Sequence, residues 1–255
     1  MVTVKAYPSV SVRYKELVCC AGITENGQWV RLYPVPYRQL PDWQQFNKYD
    51  IIEVDVERRE AHKDNRPESW RPLLDSLKNV GRIPTNKGNW DARLAWIKPT
   101  LLKGYAELKR LQQSENKSLG AFKPSRILDI EVSPDAGEWS PAQQAALNQE
   151  ELFEDLPPIE KVPYRFRIGF LDEEGKDHWL SVIDWEFFQL WRKERDNFQS
   201  EEKAADQVRK KLEWITAGDK DLILYAGNLA NPMMRKSFMI LGCCYPKDDP
   251  QMTLF

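Results

Sequence analysis

The chain has 255 residues, with 37 Lys plus Arg against 39 Asp plus Glu, so its net charge is −2. A chain that is neutral overall has no global field that attracts a polyanion, so any nucleic-acid surface must arise from local segregation of charge. The 42% of hydrophobic residues and the ten Trp can form a large core, which excludes disorder, and the length fits one large or two small domains.

The sequence contains no apolar run that approaches the roughly 18 residues of a membrane span. Its amino-terminal residues also lack the apolar core of a signal peptide. We therefore expect a cytoplasmic protein.

The charge is unevenly distributed along the chain. Residues 1–133 carry +6, residues 134–160 carry −7 without any Lys or Arg, and residues 161–255 carry −1. The acidic segment contains four Pro and lies between two strand-rich parts, which is typical of a linker, here with one short helix at 141–153. The predicted division is a basic domain at 1–133, an acidic linker at 134–160, a second domain at 161–246 and a tail at 247–255.

The basic domain begins with a predicted strand at Val2–Ala6, followed by a hairpin of Glu16–Ile23 and Gln28–Tyr33. The hairpin strands are joined by Glu25-Asn26-Gly27. An Asn-Gly pair between alternating apolar residues predicts a type I′ turn, in which both central residues have positive φ.

Three further elements are predicted in the basic domain: a strand at Tyr49–Arg59, a helix at Pro99–Gln113 and a strand at Arg126–Val132. Strands with one long helical insertion indicate a small barrel.

The second domain has predicted strands at Tyr164–Leu171, His178–Ile183, Asp221–Tyr225 and Phe238–Tyr245. Helices at Trp185–Phe198 and Glu201–Thr216 lie between the second and third of these strands. Asp184 is predicted to cap the first helix, because its carboxylate can accept from free amides of the first turn. This order indicates an α+β domain or a decorated barrel, so the predicted class is mainly β or α+β.

The four cysteines form two adjacent pairs, Cys19-Cys20 and Cys243-Cys244, each in an apolar stretch. Neighbouring residues on a strand point to opposite faces, so one thiol of each pair is expected in a core. Adjacent strand cysteines converge poorly on a metal ion, and we expect no metal site there.

The chain ends in Gln251-Met252-Thr253-Leu254-Phe255, a QxxLF pattern that resembles the ligand motif of the bacterial sliding clamp. In such a motif the Gln amide hydrogen-bonds in one pocket, while Leu and Phe fill a second. The predicted clamp-binding residues are Gln251, Met252, Leu254 and Phe255.

A second match, formed by Gln149, Leu152 and Phe153, lies in the acidic linker. The carboxylates beside it would be unfavourable against an acidic partner. For both motifs the alternative is that the Leu-Phe pair packs on the chain itself.

Rings and guanidinium groups alternate in the basic domain, where Trp29, Arg31 and Tyr33 share one predicted strand face. Bases stack on aromatic rings at roughly 1 to 3 kcal/mol each, and Arg pairs with phosphate bidentately, so this pattern favours single-strand binding. The predicted nucleic-acid-binding residues are Trp29, Arg31, Tyr33, Arg38, Arg66 and Trp70. The alternative is that Trp29 and Tyr33 face the core.

One alternative hypothesis is that the protein is a metal-dependent nuclease. Its Mg²⁺ would be held by Glu53, Asp55 and Glu57, or by Asp184 and Glu186 with His178. No E-x-K pattern supports either set, and the P-loop, GxGxxG, GxSxG and HExxH motifs are absent, so we expect neither catalysis nor a cofactor. The other rival is an interaction scaffold without nucleic-acid contact.

Several stretches of the chain resemble one little-characterised bacterial family. They are ELVCCAGI, WVRLYPVPYRQL, KYDIIEV and DNRPESWR in the first half, and HWLSVIDWE, GNLANP and ILGCCYP in the second. In these stretches the chain is similar to the dual OB-containing domain family. The resemblance implies two oligonucleotide-binding-type (OB) barrels, a nucleic-acid role and an association with prokaryotic defence or mobile-element loci, but no catalytic residue. We expect a DNA-binding rather than RNA-binding protein tethered to the sliding clamp.

Overall fold

The computed structural model describes residues 1–11, 15–58, 64–85, 88–135, 141, 159–229 and 231–247. It is a mixed α/β structure with strands in several sheets, and the described strands form no closed barrel. None of the helices in this part of the chain is long and apolar enough to cross a membrane.

The amino-terminal unit consists of eight strands and one α-helix among the described residues. They are β1 (Val2–Lys5), β2 (Ser9–Ser11), β3 (Lys15–Ile23), β4 (Trp29–Val35), β5 (Asp50–Glu53), β6 (Val56–Arg58), β7 (Ser69–Pro72), β8 (Lys78–Arg82) and α1 (Asp91–Ile97). In the main sheet, β1, β3 and β4 form an antiparallel meander, β7 lies parallel beside β4, and β6 pairs outside β7. Strand β2 pairs in antiparallel register with the first residues of β3, while β5 and β8 form a separate two-stranded ribbon.

The carboxy-terminal unit begins with a short strand and a helix and continues to the end of the described chain. Its elements are β9 (Leu101–Leu102), α2 (Tyr105–Glu115), β10 (Leu119–Phe122), β11 (Arg126–Pro134), β12 (Tyr164–Leu171), β13 (Asp177–Ser181), α3 (Trp185–Phe198), α4 (Glu201–Ile215), β14 (Ile223–Asn228) and β15 (Phe238–Cys244). Strands β11, β12 and β13 form an antiparallel meander, and a second sheet has the order β15-β14-β10-β9. A parallel bridge between Val182 and Ile240 joins the end of β13 to β15.

Each unit has its own apolar core, and a third cluster lies between the units. Alternation along β3 explains this arrangement, because Val18 and Cys20 face the first core while Ala21 and Ile23 face the opposite way. The side chains that meet in the shared cluster are Ala21, Ile23 and Trp29 from the amino-terminal unit, and Leu119, Ala121, Ile223 and Tyr225 from the carboxy-terminal unit. The two units therefore share a continuous apolar interface.

The hairpin predicted around Asn26-Gly27 is confirmed, since β3 and β4 pair there in antiparallel register. The predicted type I′ turn is wrong, because Gly27 has a φ of 70° but Asn26 does not have a positive φ. Thr24 N–H donates to Gln28 O and Gly27 N–H donates to Thr24 O, so the connection is longer than a two-residue turn.

Two other predicted elements of the basic domain differ from the structure. The strand expected at Tyr49–Arg59 is interrupted after Glu53, and its halves, β5 and β6, join different sheets. The helix expected from Pro99 begins only at Tyr105, where the Glu173 carboxylate accepts from the first-turn amides of Ala106 and Glu107. Helix α1 had no counterpart in the sequence prediction.

The elements predicted for the second domain are confirmed with small shifts of their ends, and Asp184 caps α3 by accepting from Glu186 N–H at 3.2 Å. Strands β10 and β11, which the charge pattern assigned to the basic domain, pair with β14 and β12 of the carboxy-terminal unit. Of the predicted helix at 141–153, the structure describes only residue 141, and both QxxLF motifs lie outside the described residues.

Candidate nucleic-acid interface

Arg31 does not lie on a nucleic-acid surface, contrary to the sequence prediction. Its side chain is 2% exposed, and its guanidinium donates to Cys19 Sγ at 3.0 Å and to Ser118 O at 3.0 Å. Burial lowers the pKa of Arg31, and the nearby Cys19 and Glu68 partly offset this lowering. The Arg31 side chain therefore connects the two units, and its burial keeps it from contacting a phosphate.

Arg66 is also removed from the predicted surface, because it is buried in an ion pair with Asp64. Its Nε donates to Asp64 Oδ1 at 2.9 Å and its Nη2 to Oδ2 at 2.8 Å, while its Nη1 reaches Asn228 O at 2.8 Å. Burial raises the pKa of Asp64, but the bonds from Arg66 outweigh this effect and hold the pKa below its usual value.

The same loop makes further contacts across the units. The Glu68 carboxylate accepts from Ser118 N–H and Oγ–H, each at 3.0 Å, and Asn116 donates to Asn65 O at 2.9 Å. We call these bonds, with those of Arg66, the 64–69 network. It connects the DNRPESWR stretch to the GNLANP stretch, so two stretches that carried the family resemblance hold the units together.

The other predicted nucleic-acid-binding residues are buried or half-buried. Trp29 is 8% exposed and packs with its ring centroid 5.8 Å from that of Tyr225, which matches the core alternative. Tyr33 and Arg38 are half-buried, as is Trp70, which has the Arg58 guanidinium 4.0 Å above its ring.

Two of the acids considered for a nuclease, Asp184 and Glu186, lie beside a lysine. The Lys48 ammonium contacts the Asp184 carboxylate and lies 3.3 Å from Glu186 Oε2. Burial raises the pKa of Asp184 to about 6, against the lowering effect of Lys48. His178 does not join them, since its Nε2 lies 2.6 Å from Asp172 Oδ2. Within the described ranges, no three His, Cys, Asp or Glu side chains are placed to hold a metal ion.

A sheet face that carries one indole ring and two arginines occurs instead on the outer side of β12 and β13. Along β12, Phe166, Ile168 and Phe170 point into the core, so Arg165, Arg167 and Gly169 point outwards. On β13, Leu180 points inwards, so Trp179 and Ser181 point outwards. We call these outward residues, Arg165, Arg167, Gly169, Trp179 and Ser181, the β12–β13 face.

Trp179 lies across Gly169 at the centre of this face. The two residues are paired in register, and a Cβ added to Gly169 would lie 2.7 Å from Trp179 Cη2 and Cζ2. The indole therefore rests against the strand backbone, with its other face directed away from the sheet. A half-buried ring held in this way can act as a stacking platform for a base.

The two arginines of the β12–β13 face make surface ion pairs. Arg167 donates to Glu131 Oε2 at 3.0 Å and to Trp179 O at 3.1 Å, and Arg165 donates to Asp135 Oδ1 at 3.1 Å. Exposed pairs of this kind contribute about 1 kcal/mol or less. Both guanidinium groups can therefore exchange a carboxylate for a phosphate at small cost.

Sequence reasoning identified β12 and β13 but did not consider their outward residues. The sequence Arg165-Phe166-Arg167-Ile168 alternates cationic with apolar residues, and this pattern could have indicated an outward face with two arginines. The pairing of Gly169 with Trp179 required the strand register.

Comparison with protein families divides the chain into two adjacent matches. Residues 1–99 match the domain of unknown function DUF8758, and residues 104–255 match the domain of unknown function DUF8757, which covers more than half of the chain. The chain belongs to the DUF8757 family. Searches of curated proteins and of solved structures gave no match.

The β12–β13 face lies entirely within the DUF8757 region, as do α2 and β10. The pairing of β10 with β14 agrees with this boundary. The 64–69 network joins the DUF8758 region to the DUF8757 region.

Proposed function

We propose that the protein binds single-stranded nucleic acid, DNA rather than RNA, through the β12–β13 face. The observation that carries the proposal is the Trp179 indole held flat on Gly169 beside Arg165 and Arg167. The ring offers a stacking surface and the guanidinium groups offer phosphate contacts, the combination that binds single strands without sequence preference.

The strand order of the amino-terminal unit supports an OB-like arrangement. Apart from β2, its first three sheet strands, β1, β3 and β4, form an antiparallel meander. Strand β7, the fifth in this order along the chain, lies parallel to β4, and strand β6, the fourth, pairs with the outer edge of β7. An OB-fold is a partly open five-stranded Greek-key barrel, and it binds oligonucleotides on the face of its second and third strands.

The carboxy-terminal unit repeats this order. Its meander is β11, β12 and β13, the Val182–Ile240 bridge sets β15 parallel to the third strand, and β14 pairs outside β15. Helices α3 and α4 lie between the third and fourth strands. Strands β12 and β13 then occupy the second and third positions, whose outer face binds the ligand in OB-folds.

The equivalent face of the amino-terminal unit is covered. Its second and third strands, β3 and β4, place Ala21, Ile23 and Trp29 against Leu119 and Tyr225 of the other unit. For this reason we assign the ligand to the carboxy-terminal unit.

The test is fluorescence anisotropy of labelled single-stranded DNA and RNA at several salt concentrations. We expect affinity to fall with salt, with a log-log slope of about −0.7 for each phosphate contact. Trp179→Ala should weaken binding about tenfold, because one stacked base is worth roughly 1 to 3 kcal/mol. Arg167→Gln should reduce both the affinity and the salt slope.

Trp43→Ala is the matched control, because Trp43 is 67% exposed and lies outside the face. Equal affinities of wild type and Trp179→Ala, or binding that is independent of salt, would contradict the proposal.

Attachment to a sliding clamp through Gln251, Met252, Leu254 and Phe255 is the second part of the proposed function. It rests on the sequence motif, and the defence or mobile-element context implied by the family resemblance stays a prediction.

A further inference from the structure

A groove of about 620 Å³ lies where the DUF8758 and DUF8757 regions meet. Its walls are the β3–β4 turn, strands β6 and β7, the segment 99–102 and the end of α2. Pockets of about 300 to 1,000 Å³ with apolar walls and a few polar groups, placed between domains, are typical of small-ligand sites.

One wall of the groove presents a guanidinium stacked on an indole. The Arg58 guanidinium lies 4.0 Å from the centre of the Trp70 ring, and its Nη1 donates to Pro67 O at 2.5 Å. Arg58 is exposed, so the guanidinium that lies over the ring is accessible to a further planar group. Arg planes stack on aromatic rings and on bases.

The groove also contains a second cation, the half-buried Lys117. In the part of the chain that the structure describes, neither Arg58 nor Lys117 has a carboxylate within 4.0 Å. The buried acid of the lining, Glu68, accepts hydrogen bonds from Ser118 with both of its oxygens, and Glu115 adds an exposed carboxylate. Two cations are thus available to an anionic ligand.

We propose that this groove binds one nucleotide, with the base stacked on the Arg58–Trp70 pair and the phosphate bound by Lys117. Apolar side chains of Pro99, Leu101 and Leu102 line the remaining wall against the base and sugar. Lys binds phosphate as a point charge, and a planar base extends the existing stack. The proposal does not depend on ligand binding by the β12–β13 face, and the nucleotide is either free or part of a strand.

Isothermal titration calorimetry of the full chain with AMP, UMP, adenosine and inorganic phosphate tests the proposal, with a short single-stranded oligonucleotide as a further arm. We expect one AMP per chain, weaker binding of adenosine because it lacks the phosphate, and no measurable binding of inorganic phosphate alone. Arg58→Gln and Lys117→Met should each weaken AMP binding about tenfold.

Arg71→Gln is the matched control, because Arg71 is exposed and follows Trp70 on β7, where successive side chains point to opposite faces. If only the oligonucleotide binds and its affinity depends on Arg58, the groove takes its nucleotide from a strand. The proposal is overturned if neither mononucleotides nor the oligonucleotide bind, or if the Arg58 and Lys117 variants bind like wild type. Oligonucleotide affinity that depends on Trp179 but not on Arg58 would overturn the nucleotide site in the groove and leave the proposed function of the β12–β13 face intact.

Discussion

The indole of Trp179 rests on the backbone of Gly169, its register partner on the adjacent strand. Any side chain at Gly169 would have to occupy the space of the ring, since an added Cβ would lie 2.7 Å from two ring atoms. The glycine is therefore required by the position of the tryptophan.

Gly169→Ala should displace the indole or strain β12. We expect a loss of about 1 to 3 kcal/mol in the free energy of unfolding, as for other overpacked sites, together with weaker oligonucleotide binding. Urea denaturation and fluorescence anisotropy measure the two effects. Gly218→Ala is the control, because a Cβ there meets nothing within 4 Å, and equal effects of both substitutions would refute the platform.

Arg66→Met should destabilise the protein by about 3 to 5 kcal/mol, because it removes the cation that is ion-paired with the buried Asp64 carboxylate. Urea denaturation followed by tryptophan fluorescence measures this loss. The exposed Arg71→Met should change stability by about 0.5 kcal/mol or less. A variant of Arg66 that stays stable but loses oligonucleotide affinity would restore the phosphate role predicted from the sequence.

Asp172→Asn should give a pH-dependent loss of stability. Burial raises the pKa of Asp172, but hydrogen bonds from His178 and from Lys176 and Glu174 N–H outweigh it, so the folded-state pKa lies below the unfolded value. The stability contributed by the carboxylate is therefore present above about pH 4 and lost as the pH falls through the folded-state pKa.

We expect Asp172→Asn to cost about 1 to 3 kcal/mol at neutral pH. The difference from wild type should shrink below about pH 4, as measured by urea denaturation at each pH. Asp177→Asn, at an exposed position on β13, is the control. A difference that stays constant with pH would show that the carboxylate charge does not matter.

Neutralising the acidic segment should strengthen oligonucleotide binding. Residues 134–160 hold seven carboxylates and no Lys or Arg, and the first of these acids, Asp135, already bonds to Arg165 of the β12–β13 face. Replacing Glu150, Glu151, Glu154 and Asp155 by their amides should raise affinity several-fold at low salt, and this gain should shrink at high salt.

The same replacement of Asp206 and Glu213, exposed acids of α4, should have a smaller effect. Unchanged affinity after neutralisation of the segment would show that these four acids do not compete with nucleic acid.

Removing residues 251–255 should abolish co-elution with a bacterial sliding clamp in size-exclusion chromatography, because Gln251, Leu254 and Phe255 are the proposed anchors. Oligonucleotide affinity should stay within about twofold of wild type, since residues 251–255 include none of the residues of the β12–β13 face. Retained co-elution would contradict binding through the tail and would indicate the second motif, formed by Gln149, Leu152 and Phe153.

Local patterns predicted the elements of residues 164–245 well, because alternation and helix capping act over a few residues. Asp184 shows this, since its position before a helical apolar pattern was enough to identify the cap of α3. The β3–β4 hairpin was also predictable, but its turn type was not, because the backbone conformation of Asn26 depends on the bonds between Thr24 and Gln28.

The predicted site failed where distant residues decide burial. The local sequence predicts that Arg31 is a phosphate ligand, but its guanidinium donates to Ser118, which is 87 residues away. Arg66 likewise donates to the carbonyl of Asn228, which is 162 residues away. Alternation could have indicated the outward Arg165 and Arg167, whereas the flat Trp179 depends on strand register. Sequence patterns thus located the strands but not the surface that each leaves open.

The apolar contact of β3 and β4 with β10 and β14 also limits how this chain can be dissected. Residues 1–99 produced alone would expose Trp29, Ala21 and Ile23 to water and leave the buried Arg31 without Ser118. The boundary between the two family matches therefore divides two regions whose buried apolar residues belong to one shared cluster. Fragments cut there are poor reagents for assigning activities, and point substitutions in the intact chain are the appropriate tool.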